Sequence, residues 1–199
     1  MKKLRLVAGM AVASLAIGPG VVLGQEPSAE QVARMMELAK PGPEHEELGR
    51  LAGEWDQRLR VWPSPGAEPI EMTGTVENRA ILGGRFIDSR SMASFGGEPM
   101  ESMAILGFDR RYGEYTLIGL DTQGTYWVTA QGPRQAGGSI VMSGTDEQVT
   151  MAHTQVYDFV LRIESSNRYV IEIVFHDEAH TRGGGPFRMM EIVHTRRQS

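Results

Sequence analysis

The sequence predicts a mainly β fold: an antiparallel closed barrel of about ten strands, lipocalin-like, with short helices at its N-terminus. Three observations predict it. From Trp55 onward, apolar and polar residues alternate with a period of two through ten successive segments. Glycine-bearing turns of hairpin length separate most of those segments. No stretch among them is long or periodic enough for a crossover helix, so the strands should pair antiparallel. Closing the sheet on itself also removes exposed edges, which matters in a chain without cysteine and hence without disulfides. Around ten strands enclose more space than side chains usually fill, so a cavity is expected. A two-sheet sandwich is the rival architecture.

Residues 1–24 read as a signal peptide. Lys2, Lys3 and Arg5 form a basic start, and Leu6 to Ile17 is an apolar run of signal-peptide length. That run falls short of the ~20 residues that span a bilayer, and glycines and a proline interrupt its end. Val22-Leu23-Gly24 supplies the recognition positions and places cleavage before Gln25. Export to the periplasm or beyond, with no membrane contact after cleavage, is therefore expected. The 175 residues that remain suit one domain with a real core. Within it, residues 25–42 form a helix and linker and residues 43–199 the barrel. Losing Lys2, Lys3 and Arg5 turns the formal charge of −5 into −8. So acidic a chain is a poor partner for nucleic acid or anionic membrane surfaces.

Each element follows from its residues. Ser28 to Ala39 reads as a helix, because Ser28 and Gln31 fit a capping box and Val32, Met35, Met36 and Ala39 recur at helical spacing. Pro41-Gly42-Pro43 ends it. Glu44 to Leu51 is a second short helix, with acidic residues at its positive end and Gly53 just past its close. These helices are expected to form a lid or plug. Strands then fit residues 55–61, 70–82, 85–95, 100–109 and 112–121, followed by 125–132, 139–145, 148–163, 168–176 and 187–195. On the longest, Met151, His153, Gln155, Tyr157, Phe159, Leu161 and Ile163 share one face. Its neighbour puts Tyr169, Ile171, Ile173 and Phe175 on one face, against Glu172 and His176 on the other.

Several segments in fixed order resemble a family of exported bacterial proteins. They are Pro43-Glu44-His45-Glu46-Glu47-Leu48 running into Leu51-Ala52-Gly53-Glu54-Trp55-Asp56, then Ile81-Leu82-Gly83-Gly84-Arg85-Phe86 and Leu106-Gly107-Phe108-Asp109. The Asp121-Thr122-Gln123-Gly124-Thr125 turn and Met189-Met190-Glu191-Ile192 with Thr195-Arg196 complete the set. The family carries the domain of unknown function numbered 1579, and the resemblance implies a lipocalin-like barrel, export, and no particular activity. His194 stands where that family is expected to carry an aromatic residue, typically tyrosine.

Motifs for chemistry are sparse. Asp177-Glu178-Ala179-His180 spells a helicase box, but no phosphate-cradling Gly-x-x-x-x-Gly-Lys-Ser/Thr loop accompanies it, so it reads as a charged loop. His176 and His180 stand at i, i+4 and are the metal candidates. Yet the segment leaves a strand and runs into glycines, without a helix to hold both rings on one side. His153, His176 and His194 fall on the last three strands, but parity sends His153 and His176 to opposite faces. A haem held by His153 is a further alternative. Eleven methionines follow Met1; packing explains them better than soft-metal binding, and they suit an adaptable apolar pocket. No Gly-x-Ser-x-Gly is present.

The resulting expectation is noncovalent binding of a small, largely apolar molecule in the barrel, with no cofactor assigned. The expected lining is Trp55, Met151, His153, Gln155, Tyr157, Phe159, Tyr169, Ile171 and Phe175. No catalytic group is assigned. An isomerase or hydrolase using the cavity, with His153 or Glu191 as acid–base group, is the alternative. An interaction protein with a solid barrel is a third. N-terminal sequencing of protein recovered from its own host should begin at or near Gln25; a retained Met1 would contradict export.

Overall fold

The computed structural model describes residues 26–149 and 152–198. The expected signal peptide and Met151 lie outside the described residues. Ser28 caps α1 (Ala29–Leu38) as its sequence requires: Ser28 Oγ accepts from the Gln31 amide at 3.2 Å, and Gln31 Oε1 accepts from the Ser28 amide at 2.7 Å. Nevertheless α1 buries no residue. It is tethered at its C-terminal end, where Arg85 donates to the Ala39 carbonyl and Arg110 to those of Glu37 and Lys40. Cations also suit the negative end of a helix dipole. Pro43 opens α2 (Pro43–Gly49), and His45 Nδ1 reaches back to accept from the Gly42 amide at 3.0 Å. The expected lid is thus divided. Leu48 of α2 and the following Leu51 enter the main core, whereas α1 lies outside it.

Ten strands follow among the described residues: β1 (Gly53–Val61), β2 (Ile70–Ile81), β3 (Phe86–Phe95), β4 (Glu98–Asp109), β5 (Glu114–Asp121), β6 (Val128–Gly132), β7 (Ile140–Gln148), β8 (His153–Ser165), β9 (Arg168–Phe175) and β10 (Phe187–Arg196). Each pairs antiparallel with its sequence neighbour, and β10 closes onto β1 with Ile192 opposite Leu59. The barrel is closed, so the sandwich is excluded. Several boundaries differ from expectation: β6 begins at Val128 and not at residue 125, and the β7–β8 turn is shifted. β7 runs on to Gln148 and β8 starts only at His153, because Ala152 takes a left-handed φ of +52° in the turn between them. One element was not expected. Asp177 caps a single helical turn, α3 (Glu178–Thr181), its carboxylate accepting from the His180 amide at 3.2 Å.

The end of the barrel nearest α2 is sealed. Trp55, turned inward, is almost wholly buried and donates through Nε1 to the Leu51 carbonyl at 2.8 Å. Asn78 Nδ2 donates to the same carbonyl at 3.0 Å and to Tyr169 Oη at 3.1 Å. Trp55 meets Tyr169 edge to face at 4.6 Å, and His194 stacks flat on Tyr169 at 3.9 Å. From outside, the Arg196 guanidinium covers Trp55 at 4.1 Å and donates to the carbonyls of Arg50, Ala52 and Ser166. Gly53 makes this possible. Its φ is +124°, and a Cβ there would stand 2.6 Å from Arg196 Nη1. Beside the plug, Arg134 donates to Tyr115 Oη at 3.0 Å and pairs with Glu47, locking α2 to β5.

The outer face of β8, β9, β10 and β1 carries a ladder of charges. Arg162 donates to Glu172 at 2.7 Å, Arg188 bridges Glu172 at 2.8 Å and Glu191 at 3.0 Å, and Arg60 Nε donates to Glu191 at 3.0 Å. The hydrogen bond from Arg162 leads in holding the Glu172 carboxyl below its usual range.

Two stability predictions follow from the plug. Gly53→Ala should cost about 1–3 kcal/mol from its backbone conformation, plus the contact with Arg196. Gly66→Ala, at φ +79° with open space around it, carries the backbone cost alone. In an Arg196→Ala background the excess at position 53 should vanish; an unchanged excess in denaturant titrations would contradict the contact. The second concerns His194, whose burial pushes its pKa down to about 3. Between about pH 6.5 and pH 3, the unfolded chain takes up a proton there that the folded chain refuses. Stability therefore falls as pH drops through that window, with a slope approaching about 1.4 kcal/mol per pH unit. His194→Phe keeps the stack and should flatten the fall between pH 7 and pH 5; an equal slope would contradict neutral burial.

Candidate functional site

Along the barrel axis the interior changes from filled to open. At the plugged end Trp55, Leu161, Tyr169 and His194 point inward and are 3 % exposed or less. Farther along the same strands Phe159, Ile171, Ile173, Met190 and Ile192 also point inward, yet they are only partly buried. They face a cavity of about 240 Å³ that lies between the main core and a smaller cluster of Leu59, Met72 and Ala93. The opposite wall contains a run of small residues, Ser89 and Ser91 on β3, Ser102 and Ala104 on β4, and Gly119 on β5, beside Met100, Leu117 and Leu120. At those small positions the large side chains of β8–β10 meet less volume than would fill the space.

Few polar groups meet this apolar space. Gln57 Nε2 donates to Ser91 Oγ at 2.6 Å. Tyr157 lines the cavity, but its hydroxyl donates to the Thr129 carbonyl at 2.9 Å, and burial pushes its pKa up. His194 closes the floor, and its Nδ1 is buried without a hydrogen-bond partner. Asp121 also lines the cavity, where its Oδ1 accepts from the Gln123 amide at 2.8 Å.

Of the residues expected to form the lining, Tyr157, Phe159 and Ile171 are there. Trp55 and Tyr169 lie beneath the cavity in the plug, since the helix exit places Trp55 at the sealed end. Phe175 packs in the main core and against the His180 ring at 4.3 Å. Gln155 and His153 sit at the β7–β8 end, where Gln155 accepts weakly from Gln148 at 3.4 Å. Glu191 is placed outward, because β10 alternation turns Met190 and Ile192 in; the two arginines of the outer ladder hold it. No pair of His153 and Glu191 forms for acid–base chemistry in the cavity. His176 and His180 do not face each other either. His176 Nε2 donates outward to Asp158 at 2.8 Å, while His180 Nδ1 donates to Asp177 at 2.7 Å. Gln57, the serines, Met190, Ile192 and His194 were missed as lining. Their one signal was small residues at alternate positions of β3 to β5, which marks where an interior is left unfilled.

One solved structure supports the barrel class. The S-type phycobiliprotein lyase CPES from Guillardia theta is similar with a TM-score of 0.55 at 11% identity, over 87% of this chain and 99% of that one. A de novo designed fluorescence-activating β-barrel aligns over 75% of this chain and 95% of its own, with a TM-score of 0.42 and 15% identity. No curated protein matches the chain. The family model for proteins of unknown function DUF1579 matches residues 40–196, from just before α2 to the end of β10, and the chain belongs to that family.

Proposed function

We propose that the protein binds one small, largely apolar molecule, noncovalently, in the barrel lumen. The observation that carries this is the row of inward apolar side chains, Phe159, Ile171, Ile173, Met190 and Ile192, left partly unburied around a defined cavity. Inward apolar surface without a partner is what a ligand would bury. At about 240 Å³ the cavity is below the roughly 300–1,000 Å³ typical of small-molecule pockets, so the ligand is smaller than drug-sized. Gln57 and His194 are the polar groups that would fix its orientation. Export belongs to the same proposal and rests on the basic and apolar pattern of residues 1–24.

Native mass spectrometry of protein purified from its own host tests the lumen. A recurrent co-purifying mass is expected, and it should disappear in Ser102→Phe, which places a ring in the cavity, while a cooperative thermal transition shows that the variant still folds. The same mass retained in Ser102→Phe would contradict lumen binding. So would a ligand-free spectrum together with no thermal shift across a panel of small apolar compounds.

A further inference from the structure

At the β7–β8 end of the barrel, away from the plug, α3 folds back against the start of β8. We propose that His153, Asp177 and His180 form a binding site there for one divalent transition-metal ion of the zinc class. Each residue offers one ligand atom, and these atoms all lie within 4.8 Å of one another. Asp177 Oδ1 stands 2.7 Å from His180 Nδ1 and 3.8 Å from His153 Nε2. Ligand atoms sharing a tetrahedral zinc at ~2.0–2.2 Å are about 3.3–3.6 Å apart, so the two separations bracket the required one. The closer pair has to open by roughly 0.7 Å.

A second observation points to the same atoms. His153 Nε2 is buried and has no hydrogen-bond partner. Its distance to Asp177 is too long for a hydrogen bond, so its desolvation goes uncompensated. An ion between the three groups satisfies it. On binding, His180 gives Nδ1 to the metal and carries its proton on Nε2, as a neutral imidazole ligand must.

The surroundings hold these groups in place. His153 is the first residue of β8 and pairs with Gln148, so its backbone is fixed by the barrel. Asp177 Oδ2 accepts from the Val156 amide at 3.3 Å, which orients the carboxylate from behind. His180 rests on Phe175, and its ring centre is 5.4 Å from that of His153. Two imidazoles and one carboxylate favour zinc, copper or iron over magnesium or calcium. Three protein ligands leave a fourth position for water or a small ligand. Spacing alone could not show this site, because His180 finds its partner histidine across the β8–β9 hairpin and not at His176.

Titration of the untagged, metal-free mature chain with Zn²⁺ by calorimetry, and with Co²⁺ by visible absorption, tests the site. One equivalent should bind, and Co²⁺ should give the intense bands of a low-coordinate site. His153→Ala and His180→Ala should each weaken binding at least tenfold, whereas His176→Ala should leave it unchanged. Asp177→Asn keeps the α3 cap through its one amide oxygen and gives up the Val156 contact; with folding verified by an unchanged circular dichroism spectrum, it should still lose tenfold or more. Absence of saturable one-to-one binding would overturn the site. Equal loss in His176→Ala, or full binding in folded Asp177→Asn, would do the same.

Discussion

Arg196 lying over Trp55 is the contact on which the rest of the barrel depends. Its guanidinium covers the indole at 4.1 Å and donates to the carbonyls of Arg50, Ala52 and Ser166. One side chain therefore fastens the last strand to the helix exit and to the β8–β9 turn, at the place where β10 and β1 close the sheet. The fork shape matters, because a lysine could not reach three carbonyls and cover a ring at once. Gly53 gives the guanidinium room, and the buried indole N–H is paired by its hydrogen bond to the Leu51 carbonyl.

Sealing one end decides where function can lie. With Trp55, Tyr169 and His194 packed into that end, the unfilled interior is displaced toward the middle of the barrel, against the large residues of β8 to β10. The outer charge ladder acts in the same direction. It holds Glu191 outside under Arg60 and Arg188, leaving the inward positions on either side of it to Met190 and Ile192. What remains inside is weakly polar, which suits binding better than acid–base chemistry.

Much of this was legible in the chain. Period-two alternation placed the ten strands, and the Ser28–Gln31 pattern located the first cap. The helix-to-strand switch at Gly53-Glu54-Trp55 marked the start of the barrel. The cavity wall was harder to see, for a physical reason. Strand alternation tells inside from outside, but not depth along the axis, so Trp55 and Tyr169 looked equivalent to Phe159 and Ile171. Polar residues at inward positions, such as Gln57, Asn78 and His194, also read as breaks in the pattern although partners or stacking satisfy most of their needs. The single turn of α3 was too short for any periodicity, and with it went the neighbourhood of His153 and His180.

Hydrogen exchange of the three indole N–H groups, resolved by NMR, tests the plug most directly. Trp55 is 1 % exposed and hydrogen-bonded, whereas Trp127 is 66 % exposed and Trp62 lies on the surface between Arg60 and Arg188. The Trp55 proton should exchange only through global unfolding, as slowly as the most protected strand amides and orders of magnitude more slowly than Trp127. Exchange of Trp55 at a rate close to that of Trp62 or Trp127 would contradict a sealed end.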